Sequence, residues 1–286
     1  MAWYENILRE LERTLNAQDV ERLEQIEPEH LRVHLAALRR KGHASETVFR
    51  TYGAIRCAFR FWKREGKLAG NPMELIERPR RERTLIRPLS SEQAARLLEM
   101  PDARTSQGLR DRAMMALMLD SGLRVSEVLS VEANRIDWVN CALSVMGKGR
   151  KERTVPFSAR TGQVLLEYAR ERAKRPAADP QFFLGRTGRR LERTKVRKLV
   201  VRYGKAAGID GVRVSPHTLR HTFAVLYVRN GGDSFSLQEI LGHSTLEMTR
   251  RYVHLARRDV AEQHKKFSPM QSLFAGGRST AMAAVV

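Results

Sequence analysis

The chain has 286 residues and carries 52 lysines and arginines against 32 aspartates and glutamates, a formal net charge of +20 with a pI near 10.8. That length suits two domains with separate cores, and that charge favours a polyanionic partner, most simply nucleic acid. No apolar run approaches membrane-spanning length and no secretory signal is visible, while two isolated cysteines exclude a disulfide framework, so a reducing cytoplasm is expected.

Residues 1 to about 77 read as short helices. Trp3, Ile7, Leu8, Leu11 and Leu15 recur at helical spacing, as do Leu31, Leu35 and Leu38 before a stop at Lys41-Gly42. Ser45 is placed to cap a longer helix closed by Gly66, with Ile55, Ala58, Phe59 and Trp62 as its core. Its Arg50, Arg56, Arg60, Lys63 and Arg64 then face solvent or DNA. Cys57 and Cys141 each sit in an apolar run and are expected to be buried. From 78 to 90 the text is RPRRERTLIRPLS, with two prolines, five arginines and no helical period. It reads as a linker whose Arg80, Arg81 and Arg83 lie against phosphates.

A second domain begins near Ser91 with an amphipathic helix. QGLRDRAMMALMLDSG follows as a more buried helix stopped at Gly122, its Met114, Met115 and Met118 serving as packing. In LRVSEVLSV, Arg124 and Glu127 stand at i, i+3 on a helix start. The period then changes. Ile136 and Trp138, then Leu143 and Val145, alternate as strands, and MGKGRKERTVPF supplies a turn and a returning strand with Lys148 at the tip. The tip is no nucleotide loop, because the Gly-Lys-Ser/Thr ending is absent. Helices are expected at about 159–174 and 193–208, the second displaying Arg193, Lys195, Arg197, Lys198, Arg202 and Lys205.

Ser215-Pro216 is a helix start. At the helical angle Leu219, Phe223 and Leu226 fall on one side and His217, Arg220 and His221 on the other, so an imidazole and a guanidinium are presented together. Thr218 stands where a zinc-helix motif needs glutamate, so no metal is assigned. His243 follows in a Gly-His-Ser turn. Ser244 to Glu247 has capping-box spacing for a short helix ending near Tyr252, and 255–267 reads as one more helix before a small-residue tail. Histidines, an arginine and a tyrosine on successive element ends look like a phosphate site with a nucleophile.

Taken in order, LDSGLRVSEVL, MGKGRKERTVPF, HTLRHTFA and LGHSTLEMTRRYVH resemble the tyrosine recombinase (integrase) family, most closely its simple Xer-like members. The resemblance covers 90–267 and extends more loosely over HLAALRRKG and FRFWKREGKLAGNP, which look like the family's core-binding domain. It implies a mainly α protein with a small β-sheet in its catalytic domain, arranged as a two-domain C-shaped clamp. The expected parts are a helical DNA-binding domain at 1–80, a basic linker at 81–90, a catalytic domain at 91–267 and a tail at 268–286.

The implied reaction cuts and rejoins duplex DNA through a 3′-phosphotyrosine bond made by Tyr252, without metal, ATP or other cofactor. By the same resemblance Arg124 and Arg220 clamp the non-bridging oxygens and Lys148 protonates the leaving 5′-oxygen. His217 assists proton removal, His243 donates to the phosphate, and Glu127 orients Arg124. The implied partners are a double-stranded recombination site and further copies of the chain, as a homotetramer or a heterotetramer with a paralogue, at the cytoplasmic nucleoid. Two alternatives remain at this point: a type IB topoisomerase-like nicking-closing enzyme, and a non-catalytic DNA-binding protein that kept the fold. DNA contacts are assigned to Arg50, Arg56, Arg60, Arg80, Arg81, Arg83, Lys195 and Lys198. Replacing Arg80, Arg81 and Arg83 together with alanine should weaken binding to all sequences alike and flatten its salt dependence, in a titration of affinity against salt. An unchanged slope would mean that the linker does not touch phosphates.

Overall fold

The computed structural model describes residues 2–80, 87–147, 152–174, 176–243, 245–247, 249–250, 252, 264–265 and 268–270. Contacts divide the chain into two compact units, Met1–Leu85 and Ile86–Val286.

The first unit contains helices α1 (Ala2–Asn16), α2 (Pro28–Arg40) and α3 (Ser45–Arg64), followed by a short 3-10 turn at Pro72–Leu75. Each helix turns one apolar stripe inward. Ile7, Leu11 and Leu15 of α1, Leu31, Leu35 and Leu38 of α2, and Val48, Ile55 and Phe59 of α3 form one core with Met73. Burying side chains of this size stabilises by about 1.5–3 kcal/mol each, enough to hold three short helices together. Tyr52 on α3 donates its hydroxyl to the Ile76 carbonyl at 2.9 Å, tying the end of the unit to its longest helix. Three local expectations change. Ala44, not Ser45, occupies the capping position of α3. Cys57 is exposed, because it falls on the solvent side of α3 rather than on the Ile55–Phe59 stripe, and Cys141 is only half-buried. Ala58 and Trp62 lie at the core's edge.

The second unit is helical around a three-stranded antiparallel sheet of β1 (Ile136–Asp137), β2 (Ala142–Met146) and β3 (Glu152–Pro156), in the order β1-β2-β3. Its helices are α4 (Ser91–Glu99), α5 (Ser106–Ser121), α6 (Val125–Val128), α7 (Ala159–Ala173), α8 (Arg193–Ala206), α9 (Pro216–Arg229) and α10 (Ser234–Leu241). In α5, Met114, Met115, Leu117 and Met118 are all buried; the helix packs against α7 on one side and α9 on another, so it has no solvent stripe to speak of. Strand β1 is shorter than the alternation suggests. Asp137 accepts from the backbone N–H groups of Val139 and Asn140 at 3.0 Å each, so the chain turns before Trp138 can extend the strand. Trp138 packs edge-on against Phe182 instead. The two-strand register runs from Ala142 opposite Pro156 to Met146 opposite Glu152.

Helix α10 has no counterpart in the sequence reading, although Asp233 caps it and Gly242 ends it in the left-handed conformation. Helix α9 departs further. Both Arg220 and His221 are buried, along with every residue from Thr218 to Val225, while Leu226 is only half-buried. The reason is that α9 lies between two apolar clusters. Leu219 joins the large core around α5, and Phe223, Ala224, Val225 and Val228 join a second cluster with Leu237, Leu241 and Tyr252. Among the described residues no helix is long and apolar enough to cross a membrane.

His34 in the first unit is buried without a charge partner in contact. Thr14 donates its hydroxyl to the Glu10 carbonyl, so the His34 Nδ1–H donates to the Thr14 oxygen at 2.9 Å, and buried Nε2 is left without a hydrogen bond. Burial pushes the imidazole below its usual 6.5, with Glu10 opposing and Lys41 adding to the effect. A histidine lowered in the folded state binds fewer protons than in the unfolded chain, so stability is full above 6.5 and falls with pH through the folded value. Amide exchange of α1 and α2 in the whole chain should therefore accelerate, after correction for intrinsic rates, between neutral and mildly acidic pH. His34→Gln should remove that dependence; an acid sensitivity that survives would place its source elsewhere.

Candidate active site

Helix α5 ends at Gly122, whose left-handed φ of 62° turns the chain straight into Arg124 and α6. A β-carbon at Gly122 would collide with the Phe223 ring, so glycine is required by packing as well as by backbone. Arg124 precedes α6 and its backbone N–H donates to Glu127 Oε2 at 2.8 Å. Its guanidinium donates to Glu127 Oε1 at 2.9 Å, while roughly a third of the side chain (35%) stays exposed. Glu127 itself is buried.

A second guanidinium reaches Glu127 from β3. Arg153 donates from Nη1 to Oε1 at 3.0 Å and from Nη2 to Oε2 at 3.1 Å, a bidentate pair. A third, Arg220 of α9, stands 3.9 Å from Oε2. Burial alone would raise the Glu127 carboxyl, but Arg153, the Arg124 amide and the charge of both arginines outweigh it and hold the carboxyl below its usual range. Its contribution to stability is thus present above its unfolded value and lost as pH falls through the folded one.

Arg220 is held by its surroundings through both terminal nitrogens. It donates to the carbonyls of Gly122 and Leu241 at 2.7 Å each and lies 3.2 Å from His243 Nε2. Burial, with Arg124 nearby, lowers its pKa to about 10, partly offset by Glu127, and it stays charged at neutral pH. Because a guanidinium only donates, His243 Nε2 must accept. The His243 proton then sits on Nδ1, 3.0 Å from the Thr249 hydroxyl. The Gln238 amide donates to the His243 carbonyl at 3.1 Å, fixing the turn. The Tyr252 ring stacks on His243 at 6.2 Å and 12°, with His221 at 5.1 Å on another side. Tyr252 is 2% exposed.

The structure therefore brings together Arg124, Glu127, Arg220, His243 and Tyr252. His217 lies exposed in the first turn of α9, whose N-cap Ser215 accepts from the Thr218 N–H. The rings against Tyr252 are those of His221 and His243. Lys148, Arg81 and Arg83 lie outside the described residues, as do Ser244 of the expected capping box and most of 255–267. Of the other basic candidates, Arg50 is exposed and pairs with Glu46 at 2.7 Å, Arg60 and Arg80 are exposed, and Arg56 is half-buried. Lys195, 3.5 Å from Glu192, and Lys198 are exposed on α8. Sequence reasoning passed over Arg153. Its signal was there, an arginine within an alternating strand where the register points it inward, but only the pairing of β3 shows what it meets.

Guanidiniums held by a buried carboxylate beside a histidine and a tyrosine have the chemistry to bind an anion such as a phosphodiester next to a nucleophile. The family model for phage integrases matches residues 87–258. The chain belongs to the phage integrase family. It is 31% identical to tyrosine recombinase XerD of Staphylococcus haemolyticus, over 93% of this chain and 91% of that one. With tyrosine recombinase XerC of Pelobacter propionicus it shares 38% identity over 77% of this chain and 72% of that protein. Its fold matches XerH site-specific recombinase, crystallised with a palindromic difH substrate after cleavage, at a TM-score of 0.72 and 22% identity, over 87% and 74% of the two chains. The chain is a Xer-like tyrosine recombinase, mainly helical with a small sheet, and its activity is site-specific recombination; the nicking-closing and non-catalytic alternatives are not favoured.

Glu127 is the only negative charge in contact with these three guanidiniums among the described residues. Glu127→Gln keeps the shape and removes the charge, leaving three cations crowded. It should destabilise the second unit by about 3 kcal/mol in denaturant unfolding, the scale for breaking a buried pair. Added sulfate should recover part of that loss by replacing the anion. Equal stability of the variant and wild type would show that charge is not what holds the arginines.

Proposed function

We propose that Tyr252 is the nucleophile of this recombinase and that Arg124 and Arg220 hold the scissile phosphate of duplex DNA. The observation that carries this reading is the contact chain Glu127–Arg220–His243–Tyr252, in which a charged clamp and a phenol share one imidazole between them. The phenol oxygen attacks phosphorus, forming a 3′-phosphotyrosine bond as the 5′-oxygen leaves. A second strand's 5′-hydroxyl then reverses the step, so the phosphodiester energy is conserved. A phenol is a weak nucleophile until its proton is taken, so the step needs a proton acceptor. His217 is assigned that role and Lys148 the protonation of the 5′-oxygen, both by family resemblance. His243 contributes by holding its position beside the phosphate. For it to donate there from Nε2, the ring must gain a second proton, or move its proton from Nδ1 to Nε2 and give up the Arg220 contact.

Tyr252 is enclosed in this structure, so attack requires the surroundings of the ring to open as DNA seats. The partner is a double-stranded recombination site, contacted by Arg50, Arg56, Arg60, Arg80, Arg81, Arg83, Lys195 and Lys198. Assembly is a tetramer on DNA, of this chain alone or with a paralogue. The place of action is the cytoplasm, at the nucleoid. None of these steps calls for a divalent metal or another cofactor.

The test is covalent trapping on fragmented genomic DNA, with sequencing of the junctions. Wild type should give a denaturant-resistant adduct at a defined site, undiminished by chelators. Tyr252→Phe should bind that site normally and give none. Lys148→Ala should cleave about 100-fold more slowly or worse, and a substrate with sulfur at the bridging 5′-position, which leaves without a proton, should restore it. An adduct that persists in Tyr252→Phe would sink the assignment.

A further inference from the structure

We infer that Arg153 is a positioning residue for strand cleavage, joining the β3 strand, the Glu127 carboxylate and the turn that presents His243 into one piece that aims the phosphate clamp. The inference rests on the reading that Arg124 and Arg220 hold the scissile phosphate and Tyr252 attacks it.

Three observations support it. First, Arg153 occupies both oxygens of buried Glu127, at 3.0 and 3.1 Å, while its own side chain is largely buried (15% exposed). Arg124, by contrast, uses one guanidinium nitrogen on Oε1 and remains partly open to solvent. Arg153 is thus built into the site, and Arg124 has donors to spare for a ligand. Second, the Arg153 Nε donates to the Ile240 carbonyl at 3.2 Å, and Arg220 donates to the next carbonyl, Leu241, at 2.7 Å. The C-terminal end of α10 carries partial negative charge and its last carbonyls lack helical partners. Two arginines from different elements cap them side by side, immediately before His243. Third, Gly242 is left-handed at φ 61°, and a β-carbon there would lie 3.0 Å from the Arg153 guanidinium carbon. The turn into His243 is therefore shaped around Arg153.

The mechanism follows from charge. One carboxylate is shared among three guanidiniums. With Arg153 present, the planar bidentate pair fixes the carboxylate's orientation and uses up part of its charge. Without it, both oxygens turn to Arg124 and to Arg220, now 3.9 Å away, drawing these two toward Glu127 and away from an incoming phosphate. The loss falls on the non-bridging oxygens, where charge grows as the phosphorane forms. It does not fall on departure of the 5′-oxygen.

Three duplexes of the site trapped by the wild-type chain separate these effects. One is the natural phosphodiester, one has a neutral methylphosphonate at the scissile position, and one has bridging 5′-sulfur. Arg153→Ala should form adduct about 10- to 100-fold more slowly than wild type on the phosphodiester, the scale for misplacing a catalytic group. On methylphosphonate, which has less charge to clamp, its deficit should shrink severalfold; on bridging sulfur it should persist. Arg153→Lys, which keeps the charge but loses the planar fork, should fall between. If Arg153→Ala does not bind DNA, Arg153→Lys is taken through the same three substrates and judged by the same pattern. A rate equal to wild type overturns the inference, as does an equal deficit on phosphodiester and methylphosphonate, which would mean a merely structural loss. Rescue by bridging sulfur also overturns it, placing the effect at Lys148. If wild type forms no adduct on any site, the recombinase assignment of Tyr252 fails, and this inference with it; if wild type reacts and Arg153→Ala reacts equally, only the role of Arg153 fails.

Discussion

A single buried carboxylate, Glu127, sets the terms for the catalytic unit. A lone carboxylate in such a place would cost several kcal/mol to desolvate, and three guanidiniums crowded together would repel one another. Each resolves the other's problem, and the arginines come from three different places in the chain: the start of α6, the strand β3 and the middle of α9. The pairing therefore does what a hydrophobic core cannot do, specifying relative placement to within a hydrogen bond. It leaves an excess of positive charge, which an anion is needed to satisfy. In the proposed function, stability and phosphate binding are consequently built from the same groups.

That arrangement explains why α9 differs from an ordinary amphipathic helix. A helix with one apolar face would leave Arg220 in water, where its charge is screened and its geometry loose. With apolar clusters on two faces, the guanidinium is enclosed and held by the Gly122 and Leu241 carbonyls. The lowered pKa near 10 reflects the penalty of burial. The return is a guanidinium with a fixed position, as the proposed role in holding a phosphate requires.

The parts of this architecture legible in the sequence are those governed by local rules. Helix stops at Gly122 and Gly66, the buried methionines of α5 and the alternation of β2 all follow from periodicity and backbone preference. So does the grouping of Arg124 with Glu127, three residues apart on one helix start. What stayed hidden depends on contacts distant in sequence. Arg153 looks like any strand arginine until β3 is laid beside α6 and the end of α10. His221 looks like a solvent-facing partner of Arg220 until the second apolar cluster closes over it. Helix α10 is hidden for a different reason: it is short, and its cap, Asp233, follows two glycines that read as loop. Alternation extends the strand to Trp138 because it cannot see the Asp137 turn that ends it.

Helix α8 has two sides that answer to different demands. Inward, Val196 and Val200 are buried and the Tyr203 hydroxyl donates to Asp111 at 3.0 Å, itself clasped by Arg110, which also holds the Leu184 carbonyl. Outward, Arg193, Lys195, Arg197, Lys198, Arg202 and Lys205 are all exposed. Of the outward side chains Arg202 is tied to the anchoring side, its guanidinium lying 5.2 Å from the centre of the Tyr203 ring. Substitutions at Arg193, Lys195, Arg197, Lys198 and Lys205 are nearly neutral for folding, so that surface is free to change its charge and shape without loosening the packing of Val196 and Val200 beneath it.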